Sequence, residues 1–134
     1  MQYLLLVVEP VGQRQARGEA EGLLAYQQML DYAAALQAEG VLQAAQSLQS
    51  LEHASRVSQH QGQWVQQDGP FAEAKEMVGG FFLVDAKDHA HALALARRCP
   101  AAGWATVEVR ALGPCFSDGL PAVALGAQPA ARCA

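Results

Sequence analysis

The chain has no Ile and no Asn, and Lys occurs only at Lys75 and Lys87. Charged residues fill 16% of its 134 positions and the net charge is -4. Nucleic-acid binding through broad electrostatics needs clustered Lys and Arg, so direct binding of that kind is not expected. Cysteine is scarce: Cys99, Cys115 and Cys133 are an odd number and form no CxxC pair. That excludes a disulfide framework or a zinc site by spacing, and predicts three reduced thiols in a cytoplasmic protein. No apolar run is long enough to span a bilayer. The opening run at residues 2–8 has no basic residue before it and no prompt small-residue cleavage site after it, so no secretory signal is expected.

Common catalytic signatures are missing too. There is no Ser-His-Asp order and no phosphate-cradling loop. Val78-Gly79-Gly80-Phe81 has too few glycines for a dinucleotide fingerprint and leads into a strand. His89 and His91 diverge on a predicted helix, and His53 and His60 flank a predicted edge strand. No metal site and no cofactor are expected from these spacings.

What remains is a chain of single-domain size, large enough to bury one core without staples. Its hydrophobic share of 51% is inflated by Ala, and its larger apolar residues are mainly Leu and Val. This bias fits GC-rich coding and a bacterial source.

Residues 2–8 read as a strand apolar on both faces: Tyr3, Leu5 and Val7 against Leu4, Leu6 and Val8. Residues 19–39 read as a helix, with Leu23, Tyr26, Met29 or Leu30, Ala33 and Leu36 as its apolar stripe and Gly40 at the C-terminal cap. A less apolar strand over 41–48 suits a sheet edge. Residues 54–60 and 63–67 form a predicted hairpin around Gln61-Gly62, which would cover or extend the sheet. Asp68-Gly69-Pro70 has strong turn chemistry.

Residues 78–85 form the second strand apolar on both faces. Phe81 and Leu83 face one way, Phe82 and Val84 the other, and Gly79-Gly80 permits a bulge. Asp88 suits the N-cap of a helix over 89–98, with Ala92, Leu93, Ala96 and Cys99 as its stripe and Pro100 as its stop. A last strand over 104–110 alternates Ala105, Val107 and Val109 with Thr106, Glu108 and Arg110.

With the hairpin set aside, the order is βαββαβ, the ferredoxin-like α+β split unit, whose first and third strands are central. Those are the two strands apolar on both faces. Two helices cover one face of such a sheet and leave the other wet, and an exposed apolar face of that size marks an interface. A homodimer with its sheets packed face to face is therefore expected, with Glu108 and Arg110 facing that interface. Residues 1–112 form the domain, and residues 113–134 a Pro-, Gly- and Ala-rich tail.

The stretch Asp68-Gly69-Pro70-Phe71-Ala72-Glu73-Ala74-Lys75-Glu76, followed by Gly79-Gly80-Phe81-Phe82-Leu83-Val84-Asp85, resembles the motif of the YCII-related, DGPF-domain proteins. Tyr3-Leu4-Leu5-Leu6, Ala38-Glu39-Gly40-Val41-Leu42, Arg98-Cys99-Pro100 and Val107-Glu108-Val109-Arg110 extend the match over roughly residues 1–111. The resemblance implies a dimeric α+β barrel in bacterial, cytoplasmic proteins, most of unestablished activity. Some are encoded beside extracytoplasmic-function sigma factors, and the wider superfamily includes muconolactone isomerase-like and dehydrochlorinase-like enzymes. The enzyme-like branch carries a His on the first helix and an Asp after the second as a proposed catalytic pair. Those positions fall here at about Met29 and at Cys99, neither of which can do that proton transfer. Arg110 is followed by Ala111 where the pattern has Pro.

Each candidate site residue has two readings. Asp68 either is the general acid or base of a pocket or closes an Asx-turn. Phe71 either stacks on a ligand or anchors its loop in the core. Lys75 either binds an anionic substrate or is a solvated charge beside Glu73 and Glu76. Glu108 and Arg110 either line a pocket, where Arg110 grips a carboxylate, or are solubilising charge. Two functions follow. One is a small-molecule binder with its pocket near the Asp68 loop, with acid–base isomerase or lyase chemistry as an option. The other is a protein-interaction module acting with a sigma factor.

Overall fold

The computed structural model describes residues 1–115, so the tail expected over 113–134 lies almost wholly outside the described residues. The elements run β1 (Gln2–Pro10), α1 (Gln13–Ala16), α2 (Glu19–Ala38), β2 (Leu42–Ser47), β3 (Ser55–His60), β4 (Gln63–Asp68), β5 (Glu76–Asp85), α3 (His89–Arg97) and β6 (Thr106–Ala111). Four strands form one antiparallel sheet in the order β2-β5-β1-β6. This is the ferredoxin-like α+β arrangement, with the two strands that are apolar on both faces at its centre. No described helix is long and apolar enough to cross a membrane.

Local chemistry explains the boundaries. Gly40, at φ 76°, ends the turn that closes α2. Asp88 caps α3, its Oδ1 accepting from the backbone N–H of His91 at 2.8 Å. Pro100 opens a short 3-10 turn, Pro100–Gly103, so α3 cannot continue. The sheet register slips between Val7 and Val8, where Gly80 and then Val78 stand opposite, leaving Gly79 as the extra residue of a bulge.

The core lies on the helix side of the sheet. Tyr3, Leu5 and Val7 of β1 and Phe82 and Val84 of β5 pack with Tyr32, Leu36, Ala92, Leu95, Ala96 and Cys99. Tyr32 and Phe82 meet edge to face with ring centres 5.0 Å apart, and the Tyr32 hydroxyl donates to the Leu95 carbonyl at 2.6 Å. Val107 and Val109 join this side, while Thr106, Glu108 and Arg110 are exposed on the other. The open face carries Leu4, Leu6, Phe81 and Leu83, all partly exposed.

Several expectations are corrected. The helix stripe does not hold along α2: Leu23 is 64% exposed and Tyr26 52%, whereas Tyr32, absent from the expected stripe, is buried. In α3 it is Leu95, not Leu93, that is fully inside. The β3–β4 hairpin neither extends nor covers the main sheet; it forms a separate two-stranded sheet with every residue exposed. Its side chains are too polar to bury, and its backbone is satisfied by its own pairing. Cys115 is disulfide-bonded, against the expectation of three reduced thiols. Pairing depends on how close two Cα atoms come in space, which spacing along the chain does not show. Cys99 is a free, buried thiol.

Candidate functional site

The N-terminal half of α2 does not close onto the sheet. Beneath it lies a cavity of about 500 Å3, framed by β1, β5, the edge strand β2 and Trp104. Small residues keep it open: Gly22, Ala25 and Ala33 from α2, Ala45 from β2, Gly79 and Gly80 from β5. Tyr26, Met29, Leu30 and Phe82 supply its apolar walls. Glu9, Arg14 and Arg17 bring charge to the same space.

Glu9 ends the inward-facing set of β1 begun by Tyr3, Leu5 and Val7, and is only 2% exposed. A carboxylate this deep needs a counter-charge. The chain turns through Gly12 into α1, which returns Arg14 beneath the strand, its Nε 2.6 Å from Glu9 Oε1. Oε1 has no well-aligned hydrogen bond, so the contact is one of charge more than direction. The rest of the guanidinium donates to the carbonyls of Leu48, at 2.7 Å, and Gly79, at 3.2 Å. Gly79 leaves room for this pair: a Cβ there would stand 2.5 Å from Glu9 Oε1 and 2.8 Å from an Arg14 nitrogen, and the pair would have to shift.

Arg17, half-buried, lies with its guanidinium carbon 4.6 Å from the centre of the Trp104 ring. Gln13 donates through Nε2 to the Trp104 carbonyl at 2.8 Å. The Trp104 Nε1 is buried without a hydrogen-bond partner among the described residues.

The residues singled out from sequence sit elsewhere; Asp68, Phe71, Lys75, Glu108 and Arg110 do not line this cavity. Asp68 is exposed at the base of the hairpin, its Oδ1 accepting from Ser55 Oγ at 2.8 Å and Gln66 Nε2 at 3.0 Å. Hydrogen bonds from Gln66 and then Ser55 hold its carboxyl below the usual carboxylate value. That direction disfavours a proton donor at neutral pH.

The following Gly69 N–H donates to the Ala54 carbonyl at 2.8 Å, and a Cβ there would come within 1.8 Å of the Leu51 carbonyl oxygen. Phe71 is buried with the Arg56 guanidinium carbon 3.7 Å from its ring centre, and Arg56 also pairs with Glu73 at 2.9 Å. The loop therefore clasps the hairpin to the domain. Lys75 is exposed, with no ion-pair partner among the described residues. Glu108 and Arg110 stand on the open sheet face, 3.9 Å from each other and opposite Leu6 and Leu4.

Sequence reasoning passed over Glu9, Arg14, Arg17 and Trp104. One signal was available: Glu9 keeps the inward phase of β1, and a carboxylate there demands a partner. The partner, five residues on, comes through a four-residue helix too short to show periodicity.

Met29 and Cys99, the positions to which the family resemblance drew attention, do meet. Cys99 Sγ lies 4.0 Å from Met29 Sδ, the thiol directed at the thioether. Burial pushes the Cys99 thiol above its ordinary pKa, so it is kept protonated. The site holds two soft apolar sulfurs where a proton relay would need a base and an acid.

No curated protein matches the chain. The family model of the YCII-related domain matches residues 1–115, which spans every described element. On that match, together with the ferredoxin-like sheet and the loop at Asp68, the chain belongs to the YCII-related family.

Proposed function

We propose that this protein binds a small organic molecule in the cavity between α2 and the sheet. The observation that carries this reading is the convergence of Glu9, Arg14 and Arg17 on one mostly apolar space of about 500 Å3. Such a space, walled by apolar side chains with a few placed polar groups, is the usual form of a ligand site. The site moves from the Asp68 loop to the roof of the sheet, and Asp68 takes the role of hairpin clasp. Binding, rather than acid–base isomerase or lyase chemistry, is the activity proposed: Met29 and Cys99 occupy the relay positions, and Asp68 is held ionised.

A thermal-shift screen with small carboxylates, phenols and lactones tests this. A ligand at a hundredfold over its Kd stabilises by about 2.7 kcal/mol. The hit is expected to disappear in Ala33→Phe, which fills the cavity, and to persist in Asp68→Ala. A hit indifferent to Ala33→Phe, or no hit at all, overturns the proposal.

We also propose that the open sheet face joins two copies. Leu4, Leu6, Phe81 and Leu83 give it a contiguous apolar centre that a single chain leaves partly wet. Light scattering at micromolar concentration is expected to give twice the chain mass.

A second reading, an interaction module for a partner such as a sigma factor, is favoured by Val57, Trp64 and Val65, exposed 65%, 73% and 46% on the free hairpin. Its test is retention of a sigma factor by the wild-type protein and release by Trp64→Ser.

A further inference from the structure

The charges around the cavity do not cancel. Glu9 and Arg14 neutralise each other at 2.6 Å. Arg17 lines the same cavity with no carboxylate in ion-pair range among the described residues. Its backbone N–H bonds to the Gln13 carbonyl, but its guanidinium makes no hydrogen bond among the described residues. The cation–π contact with Trp104, 4.6 Å from the guanidinium carbon to the ring centre, restrains that group. Its N–H donors have no partner among the described residues, and a guanidinium already held against a ring needs little further ordering to grip an oxyanion.

Resting on the reading of the cavity as a ligand site, we infer that its ligand is a monoanion with a flat apolar body, its acid group held by Arg17. The body lies against Tyr26, Met29 and Phe82, two aromatic rings and a polarisable thioether that line the cavity. A neutral molecule of the same shape leaves a half-desolvated guanidinium without a partner, which is costly. A second negative charge on the ligand finds no free cation inside, because Arg14 is committed to Glu9 and to two backbone carbonyls.

Two fluorescent probes of one shape separate these contributions. Anilinonaphthalene sulfonate carries the acid group, and N-phenyl-1-naphthylamine lacks it. Each is titrated into the full chain carrying Trp64→Phe, and the part of the Trp104 quenching that Ala33→Phe abolishes is counted as binding in the cavity. The sulfonate is expected to bind at least tenfold more tightly than the neutral amine. Arg17→Gln is expected to erase that advantage, and Arg97→Gln, which removes a distant exposed cation, to leave it intact. Arg17→Lys retains the charge without the plane and is expected to keep part of the advantage; it serves if the Gln variant does not fold.

Equal affinities for the two probes, both quenching Trp104, overturn the anion preference while leaving the cavity reading in place. A sulfonate advantage that survives Arg17→Gln assigns the charge recognition to another group and overturns the role of Arg17. Failure of both probes to quench Trp104 removes the ligand site itself.

Discussion

One helix and one sheet enclose two unlike ends. At the C-terminal end of α2, Tyr32 and Leu36 meet Phe82, Val84, Leu95 and Cys99, and these residues are at most 5% exposed. At its N-terminal end the same helix spans about 500 Å3 of open space over Gly79, Gly80 and Ala45, with Tyr26 and Leu30 roughly half exposed. The two ends share backbone geometry and differ in side-chain volume. Where Tyr32 and Leu36 of α2 meet Phe82 and Val84 the gap is filled; where Gly22 and Ala25 stand over Gly79, Gly80 and Ala45 it stays hollow. The hollow end is also where the buried charges are. A domain that uses one end for stability is free to leave the other unfilled.

This contrast can be broken by substitution. The largest loss is expected at the packed end, where Leu36→Ala removes a fully buried side chain and should cost about 2–5 kcal/mol in chemical denaturation. Next comes the ion pair of the hollow end. Arg14→Met strands Glu9 as a buried carboxylate and should cost about 2–3 kcal/mol, below the range for fully buried pairs because Arg14 is 31% exposed.

A matched enlargement then compares the ends directly. Ala92→Leu overpacks a residue with no exposure and should cost about 1–3 kcal/mol, whereas Ala33→Leu enters open space and should change stability by less than about 0.5 kcal/mol. Equal costs for the two would show that the hollow end closes in solution.

Alkaline pH should act on the packed end. Burial raises the Cys99 pKa, so the folded state holds that proton more tightly than the unfolded state does. The associated stability is present below the ordinary thiol value, and is lost as pH rises through that value towards the folded one. Tyr32, raised mainly by its burial, adds the same trend higher up. Denaturation midpoints should therefore fall above about pH 9, and fall less steeply in Cys99→Ala. The smallest effect is expected outside both ends: Trp64→Ser on the free hairpin should stay within about 0.5 kcal/mol of wild type.

Much of the fold was legible because it rests on short-range rules. Apolar residues on both faces identified β1 and β5 as the central strands. Gln61-Gly62, with φ 52° and 80°, made the hairpin turn that its residue types announce. The motif at Asp68 was equally visible, and its Gly69 folds the loop back on Leu51 and Ala54. The charged cavity was not legible. Glu9 and Arg14 are joined by a short helix without periodicity, and Arg17 meets Trp104 across 87 residues of chain. The helix stripe misled for a related reason. Periodicity gives the direction in which a side chain points, but not whether anything stands there to receive it.

The sequence by itself determined the strands and the two long helices, which strands lie inside the sheet, and where those helices and turns stop. Each depends on neighbours a few residues apart, through backbone sterics, capping and the period of apolar residues. Only the tertiary structure decided where the domain is solid and where it is hollow, and which charges share the hollow. Those outcomes depend on the volumes and charges of side chains brought together from β1, α1, α2, β2, β5 and Trp104, and no local pattern along the chain encodes that sum.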